Sequence, residues 1–90
     1  MASITVKVGS SVGLHARPAS IISERAGELD ADVTLATPGG DPVDADSALM
    51  IMTLGASQGD EVVVESDDEA AMQTIADLIV LDLDDPSYPA

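Results

Sequence analysis

Aromatic residues and cysteine are almost or entirely missing from this chain of 90 residues: Tyr88 is its only aromatic residue, and it has no cysteine. A chain of this length can bury one modest core. Aliphatic residues, alanine and methionine must therefore fill that core. The absence of cysteine excludes disulfide bonds and thiolate metal sites. The sequence therefore predicts one small domain that is stabilised by aliphatic packing.

Positive charge is also scarce. Lys7, Arg17 and Arg25 stand against 17 acidic residues, which gives a net charge of −14. Because nucleic-acid binding depends on basic patches, no nucleic-acid partner is expected. No apolar run reaches the roughly 20 residues of a membrane span, and the N-terminus lacks the basic-then-apolar pattern of a secretory signal. We therefore expect a cytoplasmic protein without membrane insertion.

The excess of negative charge has two competing explanations. One is adaptation to a cytosol holding molar salt, in which the screening length shrinks to about 3 Å and an acidic surface is tolerated. The other is a disordered acidic tail. The carboxylates are spread among apolar residues instead of being grouped in one block, and this favours the first explanation. We therefore expect a halophilic source.

Alternation of apolar and polar residues predicts four strands. They are centred on Ile4, Val6 and Val8, on Val33 and Leu35, on Val43 and Ala45, and on residues 61–65. The turn-forming residues 38–41 join the second and third strands into a hairpin.

Helical spacing of apolar residues predicts three helices. The first has an inner stripe of Ala19, Ile22, Ala26 and Leu29, with Ile21 off that stripe. Ser47 is expected to cap a short second helix and Gly55 to end it. A capping box beginning at Ser66 opens a third helix, whose inner face continues through Ala71, Ile75, Leu78 and then Leu81 or Asp82. The order β-α-β-β-α-β-α suits an α+β domain with helices on one face of a sheet.

The only histidine lies just before the first predicted helix, in the segment Gly13-Leu14-His15-Ala16-Arg17-Pro18-Ala19. An imidazole is a nucleophile at cellular pH. The first amides of a helix form an anion site, and because proline has no amide hydrogen, Ala16 and Arg17 are the expected donors. The Arg17 guanidinium matches phosphate oxygens. The pattern predicts a transiently phosphorylated histidine, and the competing interpretation is a surface histidine that only caps the helix.

A second motif begins Ser47-Ala48-Leu49-Met50-Ile51-Met52-Thr53-Leu54-Gly55 and continues with Gln58-Gly59-Asp60. Both motifs, at this spacing, resemble the histidine-containing phosphocarrier (HPr) family of the phosphoenolpyruvate-dependent sugar phosphotransferase system, from about Ser3 to Leu83. The resemblance implies an HPr-like open-faced β-sandwich: a four-stranded antiparallel sheet in the order 1-4-2-3, with three helices on one face. One domain is then expected over residues 1–83, with a C-terminal tail at residues 84–90.

The resemblance further implies a phosphoryl relay. His15 would accept the phosphoryl group from phospho-enzyme I on Nδ1 and pass it to enzyme IIA, with Arg17 stabilising the phosphate. Such a relay protein needs no cofactor or metal, has no independent turnover and is expected to be a monomer. The resemblance leaves a sugar-uptake branch, a nitrogen-type branch and a dihydroxyacetone-type branch open. For a halophile we expect a fructose-type branch, from the family alone.

In Gram-positive members of the family, the serine matching Ser47 is a regulatory phosphorylation target. A helix N-cap explains a serine at this position equally well, so both roles stay open. Phosphate on Ser47 would add negative charge near His15 and so disfavour a second phosphate.

The family docks its partners through an apolar patch on the first two helices. The matching residues here are Ser20, Ile21, Ala48, Leu49 and Met52. Residues 48–52 cannot all face inward, so part of this run must be exposed, and an exposed apolar patch usually has a partner. The lysines that family members often carry around the patch are replaced by Glu24, Gly27 and Met50. Partners would then rely on apolar contact in high salt or carry local positive charge.

Two other functions compete with the relay. Asp46-Ser47-Ala48-Leu49 is close to the motif of acyl carrier proteins, which would be modified on Ser47, but acyl carriers are all-helical and the strand patterns contradict this. A non-relaying HPr-like module would bind a regulator or a metabolic enzyme and report sugar supply through its phosphorylation. The retention of His15 and Arg17 favours the relay.

Overall fold

A computed structural model describes residues 2–11 and 13–81 of the chain. Its elements follow the predicted order: β1 Ala2–Lys7, α1 Ala16–Glu28, β2 Val33–Ala36, β3 Val43–Asp44, α2 Ala48–Thr53, β4 Glu61–Ser66 and α3 Glu69–Val80. The predicted tail at residues 84–90 and the domain boundary before it lie outside the described residues. Val8 and Ala45, which were expected in strands, follow β1 and β3 as buried residues.

The strands form one antiparallel sheet in the order β1-β4-β2-β3. Val64 of β4 lies between Ile4 of β1 and Leu35 of β2, and the inward-facing Val62 and Val64 are fully buried. The outer face is more polar, with Lys7 opposite Glu61. The predicted α+β fold and strand order are confirmed. The sheet makes the acyl-carrier alternative wrong, since that class has no strands.

The helices cover the inner face of the sheet and close an aliphatic core. α1 packs against both α2 and α3, while α3 packs on β1 and β4. Each helix contributes a fully buried isoleucine, namely Ile22, Ile51 and Ile75. The core cluster contains only valine, leucine, isoleucine, alanine and methionine. This matches the expectation that aliphatic packing alone stabilises the domain.

The inner faces of the two long helices agree with the sequence pattern only in part. In α1, Ala19, Ile22 and Ala26 are buried as predicted, while Leu29 is the half-buried residue after the helix. In α3, the buried residues are Ala71, Met72, Ile75, Ala76 and Ile79. The predicted continuation holds at Leu78, which is half-buried against the core, but is wrong at Leu81, which is 44% exposed. Asp82 lies outside the described residues. Two of these buried residues, Ala71 and Ala76, have small side chains that let the α3 backbone pack close to the sheet.

The start of α3 lies two residues later than the capping-box spacing predicts. Asp68 is the N-cap, and its carboxylate accepts from the amides of Ala70 and Ala71 at 2.9 and 3.2 Å. Ser66 is instead the last residue of β4, opposite Val33. Its buried hydroxyl donates to the Asp32 carbonyl at 2.7 Å and accepts from the Asp68 amide. The pairing of Ser66 in the sheet fixes it as strand and so delays the helix.

Candidate functional site

His15 is the N-cap residue of α1, where its backbone is extended and its side chain is exposed. The helical hydrogen-bond ladder begins when the Ala19 amide donates to the His15 carbonyl at 2.8 Å. The imidazole makes no capping hydrogen bond. His15 therefore caps the helix with its backbone carbonyl only, and the imidazole takes no part in the cap. The imidazole lies at the protein surface and not in a pocket. A macromolecular partner can therefore reach it.

The first turn of α1 supplies two backbone amides directly after His15. Ala16 and Arg17 occupy the first two helical positions, and Pro18 occupies the third, so the third amide donor is absent. The amides of a first turn lie before the intrahelical ladder and carry the positive end of the helix dipole. This arrangement suits a small anion held next to His15.

Arg17 adds a cationic side chain to the same turn. The residue is half-buried, and its Nε is shielded from solvent. Because helical side chains generally tilt toward the N-terminus of their helix, an arginine at the second helical position is well placed to reach an anion at the helix start. Partial burial restricts the stem of the arginine and leaves less rotamer freedom to lose when an anion binds.

The loop before His15 is held against the segment that follows α2. Leu14 is buried, and its amide donates to the Ala56 carbonyl at 2.9 Å. Gly13 has a φ of +73°, and a Cβ at this residue would collide with the same Ala56 carbonyl. Only glycine adopts this conformation without strain. The position of the histidine is therefore set by backbone contacts with a distant part of the chain.

The Gln58-Gly59-Asp60 turn is a second support of the histidine loop, and sequence analysis gave it no structural role. The Gly59 amide donates to the Val8 carbonyl at 2.9 Å, and the Val8 amide donates to the Asp60 carbonyl at 3.0 Å. The Gln58 side-chain amide donates to the Gly9 carbonyl at 3.3 Å. The second motif thus fixes the loop that begins the first one. The sequence shows this motif, but it does not show which segment of the chain the motif contacts.

Ser47 caps α2 as predicted. Its Oγ accepts from the Met50 amide at 3.3 Å, and its carbonyl accepts from the Ile51 amide at 3.0 Å. Gly55 follows the C-cap Leu54 with a φ of +65°, which is the usual position of a helix-ending glycine. Both predicted ends of α2 are confirmed.

The predicted partner residues lie on α1 and α2, which pack together, and together with Met50 we refer to them as the docking surface. Within α2, Ile51 is fully buried, whereas Leu49 is 70% and Met50 42% exposed. The expectation that part of this run is exposed is confirmed. Met50 was not among the predicted partner residues, although its exposure follows from its position beside the inward-facing Ile51. The docking surface comprises Leu49 and Met50 together with Ser20, Ile21, Ala48 and Met52.

The remaining described residues offer little competing chemistry. Residues 2–11 and 13–81 contain no group of three histidine, aspartate or glutamate side chains placed to hold a metal ion. Over the same ranges, no helix is both long and apolar enough to cross a bilayer. A recess near the end of α1 is lined by Ala26, Ala31, Asp32, Val33, Asp44 and Asp46. Its carboxylates would repel a phosphate, so it is not the phosphate site.

The fold and the exposed histidine at a helix start define a class of small histidine phosphocarriers, and comparison with known proteins identifies the family. The family model described as "PTS HPr component phosphorylation site" matches residues 2–81. The phosphocarrier protein HPr of Streptomyces coelicolor is 43% identical over 88 residues, covering 94% of this chain and 95% of that protein. The chain therefore belongs to the HPr family, the phosphocarriers of the phosphotransferase system.

Solved structures agree with this assignment. The crystal structure of an HPr from Bacillus anthracis superposes with a TM-score of 0.80 at 27% identity, covering 87% of this chain and 95% of that one. A crystal structure described as an HPr dimer from Thermoanaerobacter tengcongensis gives a TM-score of 0.63 at 33% identity, covering 88% of this chain and 93% of that one. The open-faced sandwich is thus the fold of the family.

Proposed function

We propose that this chain accepts a phosphoryl group from phospho-enzyme I on the Nδ1 of His15 and passes it to an enzyme IIA. The observation that carries this proposal is the exposed imidazole of the N-cap residue of α1, which makes no capping hydrogen bond and lies within the residues that the family model matches. A neutral imidazole nitrogen forms the bond to phosphorus as the bond to the donor breaks, and the reverse occurs at the acceptor. The transfer needs no cofactor and no redox step.

The site would hold the phosphate through three donors on one turn. These donors would be the amides of Ala16 and Arg17, at the positive end of the helix dipole, and the Arg17 guanidinium, whose N–H groups match phosphate oxygens. A carrier must also release its cargo, and a site that bound the phosphorylated state too tightly would slow the second transfer. An open site at the surface meets this requirement, because each partner completes the arrangement of charges in its own complex.

The docking surface is the proposed contact for both partners. Leu49 and Met50 are its most exposed apolar residues. Ser20 and Ile21 belong to α1, and the proposed phosphate site lies at the start of the same helix. We further propose a monomer that acts in the cytoplasm, with a fructose-type branch as the sugar specificity. Regulatory phosphorylation of Ser47 stays a prediction, since the cap bond alone explains a serine there.

The test is 31P NMR of the purified protein in molar potassium chloride with phosphoenolpyruvate and enzyme I from the source organism. An acid-labile phosphoramidate signal is expected from the unchanged chain and none from His15→Ala. Because the His15 side chain is exposed and makes no cap bond, His15→Ala should change the unfolding free energy by only about 0.5 kcal/mol or less. We expect Arg17→Ala to accept phosphate about tenfold or more slowly, since it loses a charge-assisted contact.

Two outcomes would contradict the relay. Phosphorylation of the His15→Ala variant at the normal rate would move the site to another residue. No signal from the unchanged chain, with enzyme I shown to be active on a second HPr, would favour the non-relaying regulatory module.

A further inference from the structure

The docking surface is bordered by negative charge on both of its helices. Glu24 lies on α1 three and four residues after Ile21 and Ser20, and it is exposed. Residues at these spacings are neighbours on one helix face. The exposed Asp46 directly precedes the N-cap Ser47 of α2 and also lines the recess near the end of α1. Glu24 therefore borders the α1 part of the docking surface, and Asp46 lies beside the start of its α2 part.

The few positive charges of the chain do not offset this border. Lys7 belongs to β1, where it lies opposite Glu61. Arg25 pairs with Glu28 at 3.1 Å, so its charge is largely compensated within α1. Arg17 sits in the first turn of α1, where the proposed phosphate binds. With three basic residues against 17 acidic ones, a partner meets a strongly acidic chain.

Charge complementarity determines which partner surface fits this face. Like charges brought together at an interface repel and suppress binding, whereas complementary charges accelerate association. Molar salt screens distant charges but acts least on pairs in direct contact, because the screening length is then about 3 Å. The charges at the edge of the docking surface should thus influence binding more than the overall charge of the chain.

We propose that enzyme I presents to this chain an apolar patch bordered by lysine or arginine side chains, which contact Glu24 and Asp46 while the patch covers Leu49 and Met50. This inference rests on the proposed function for the identity of the partner. It specifies the sign of the partner's charge, which the relay chemistry leaves open.

The test compares two substitutions that change the total charge equally. Glu24→Lys reverses a charge at the edge of the docking surface. Asp77→Lys makes the same reversal at an exposed position of α3, outside that surface. The dissociation constant of each variant for purified enzyme I is measured by isothermal titration calorimetry, at the lowest salt at which circular dichroism shows both variants folded and again in molar potassium chloride.

We expect Glu24→Lys to weaken binding about threefold to tenfold at the lower salt, with a smaller difference in molar salt. Asp77→Lys should stay within about twofold of the unchanged chain. Tighter binding by Glu24→Lys, or equal effects of both substitutions, would overturn the proposal.

Measuring phosphoryl transfer in the same samples tests the relay separately from the proposed positive border of enzyme I. Binding of the unchanged chain without transfer contradicts the relay, and the charge-reversal comparison still decides the sign of the partner's border. Absence of any binding to enzyme I contradicts both.

Discussion

Gly13 holds the histidine loop in a conformation that other residues adopt only with strain. Its φ is +73°, and the Ala56 carbonyl occupies the space that a Cβ would need. We expect Gly13→Ala to lower the unfolding free energy by about 2 kcal/mol or more, since a left-handed backbone alone costs an L-residue about 1–2 kcal/mol and the collision adds to it. Urea denaturation checks this value. Transfer to His15 should also slow, because the Leu14 bond to Ala56 would be displaced.

Gly39 provides the matched control for this substitution. It also has a positive φ, +78°, but no atom lies within 4 Å of its would-be Cβ. Gly39→Ala should therefore show the backbone cost of about 1–2 kcal/mol without any effect on phosphoryl transfer. Equal destabilisation by both variants, with transfer unaffected in each, would show that the Ala56 carbonyl does not constrain the loop.

At the residue scale, the sequence predicts the reactive group but not the contacts that position it. His15 could be predicted as the reactive group because a helix start, an arginine and a proline lie within three residues of it. The hydrogen bonds that position it join residues 8–14 to residues 56–60. No local pattern encodes contacts between segments more than forty residues apart, so the structure was needed to assign roles to Ala56 and Gln58.

At the scale of elements, the start of α3 shows why helix ends are hard to place. Ser66, Asp67 and Asp68 are three successive residues able to cap a helix. Spacing to Glu69 favoured Ser66, yet the pairing of Ser66 with Val33 in the sheet excludes it. The strand order also depends on pairing between distant segments. Periodicity therefore could not predict it, and the prediction rested on the family resemblance.

The cap assignment leads to a direct prediction. Asp68→Ala should lower the unfolding free energy by about 1 kcal/mol, because the amides of Ala70 and Ala71 lose their acceptor. Asp67→Ala removes the same charge from the neighbouring exposed residue and should change stability by only about 0.5 kcal/mol or less. Chemical denaturation of both variants in the same salt measures the difference. A larger loss from Asp67→Ala would contradict Asp68 as the cap.

At the scale of the whole molecule, charge is the dominant feature. The chain carries −14 in a body with a Cα radius of gyration of 11.4 Å, and Arg25–Glu28 is the one side-chain ion pair found within residues 2–11 and 13–81. Repulsion among the carboxylates opposes the compact state, and it also opposes the approach of a second copy. This supports the proposed monomer, even though a relative has been crystallised as a dimer.

The same repulsion predicts that the fold depends on salt. Unfolding moves the carboxylates apart, so the charge penalty falls mainly on the folded state and is relieved when salt shortens the screening length from about 10 Å at 0.1 M to about 3 Å at 1 M. We expect loss of structure by circular dichroism in low-salt buffer. Even a partial loss of about 2 kcal/mol would lower the melting temperature by roughly 10 °C in a domain of this size.

Potassium chloride and potassium sulfate, compared at equal ionic strength, distinguish two causes of salt stabilisation. Screening gives similar melting curves in both salts below about 1 M, whereas stronger stabilisation by sulfate would indicate enhanced apolar burial instead. A spectrum and melting temperature unchanged by the removal of salt would show that aliphatic packing alone outweighs the repulsion, and the halophilic interpretation of the acidic surface would then be wrong.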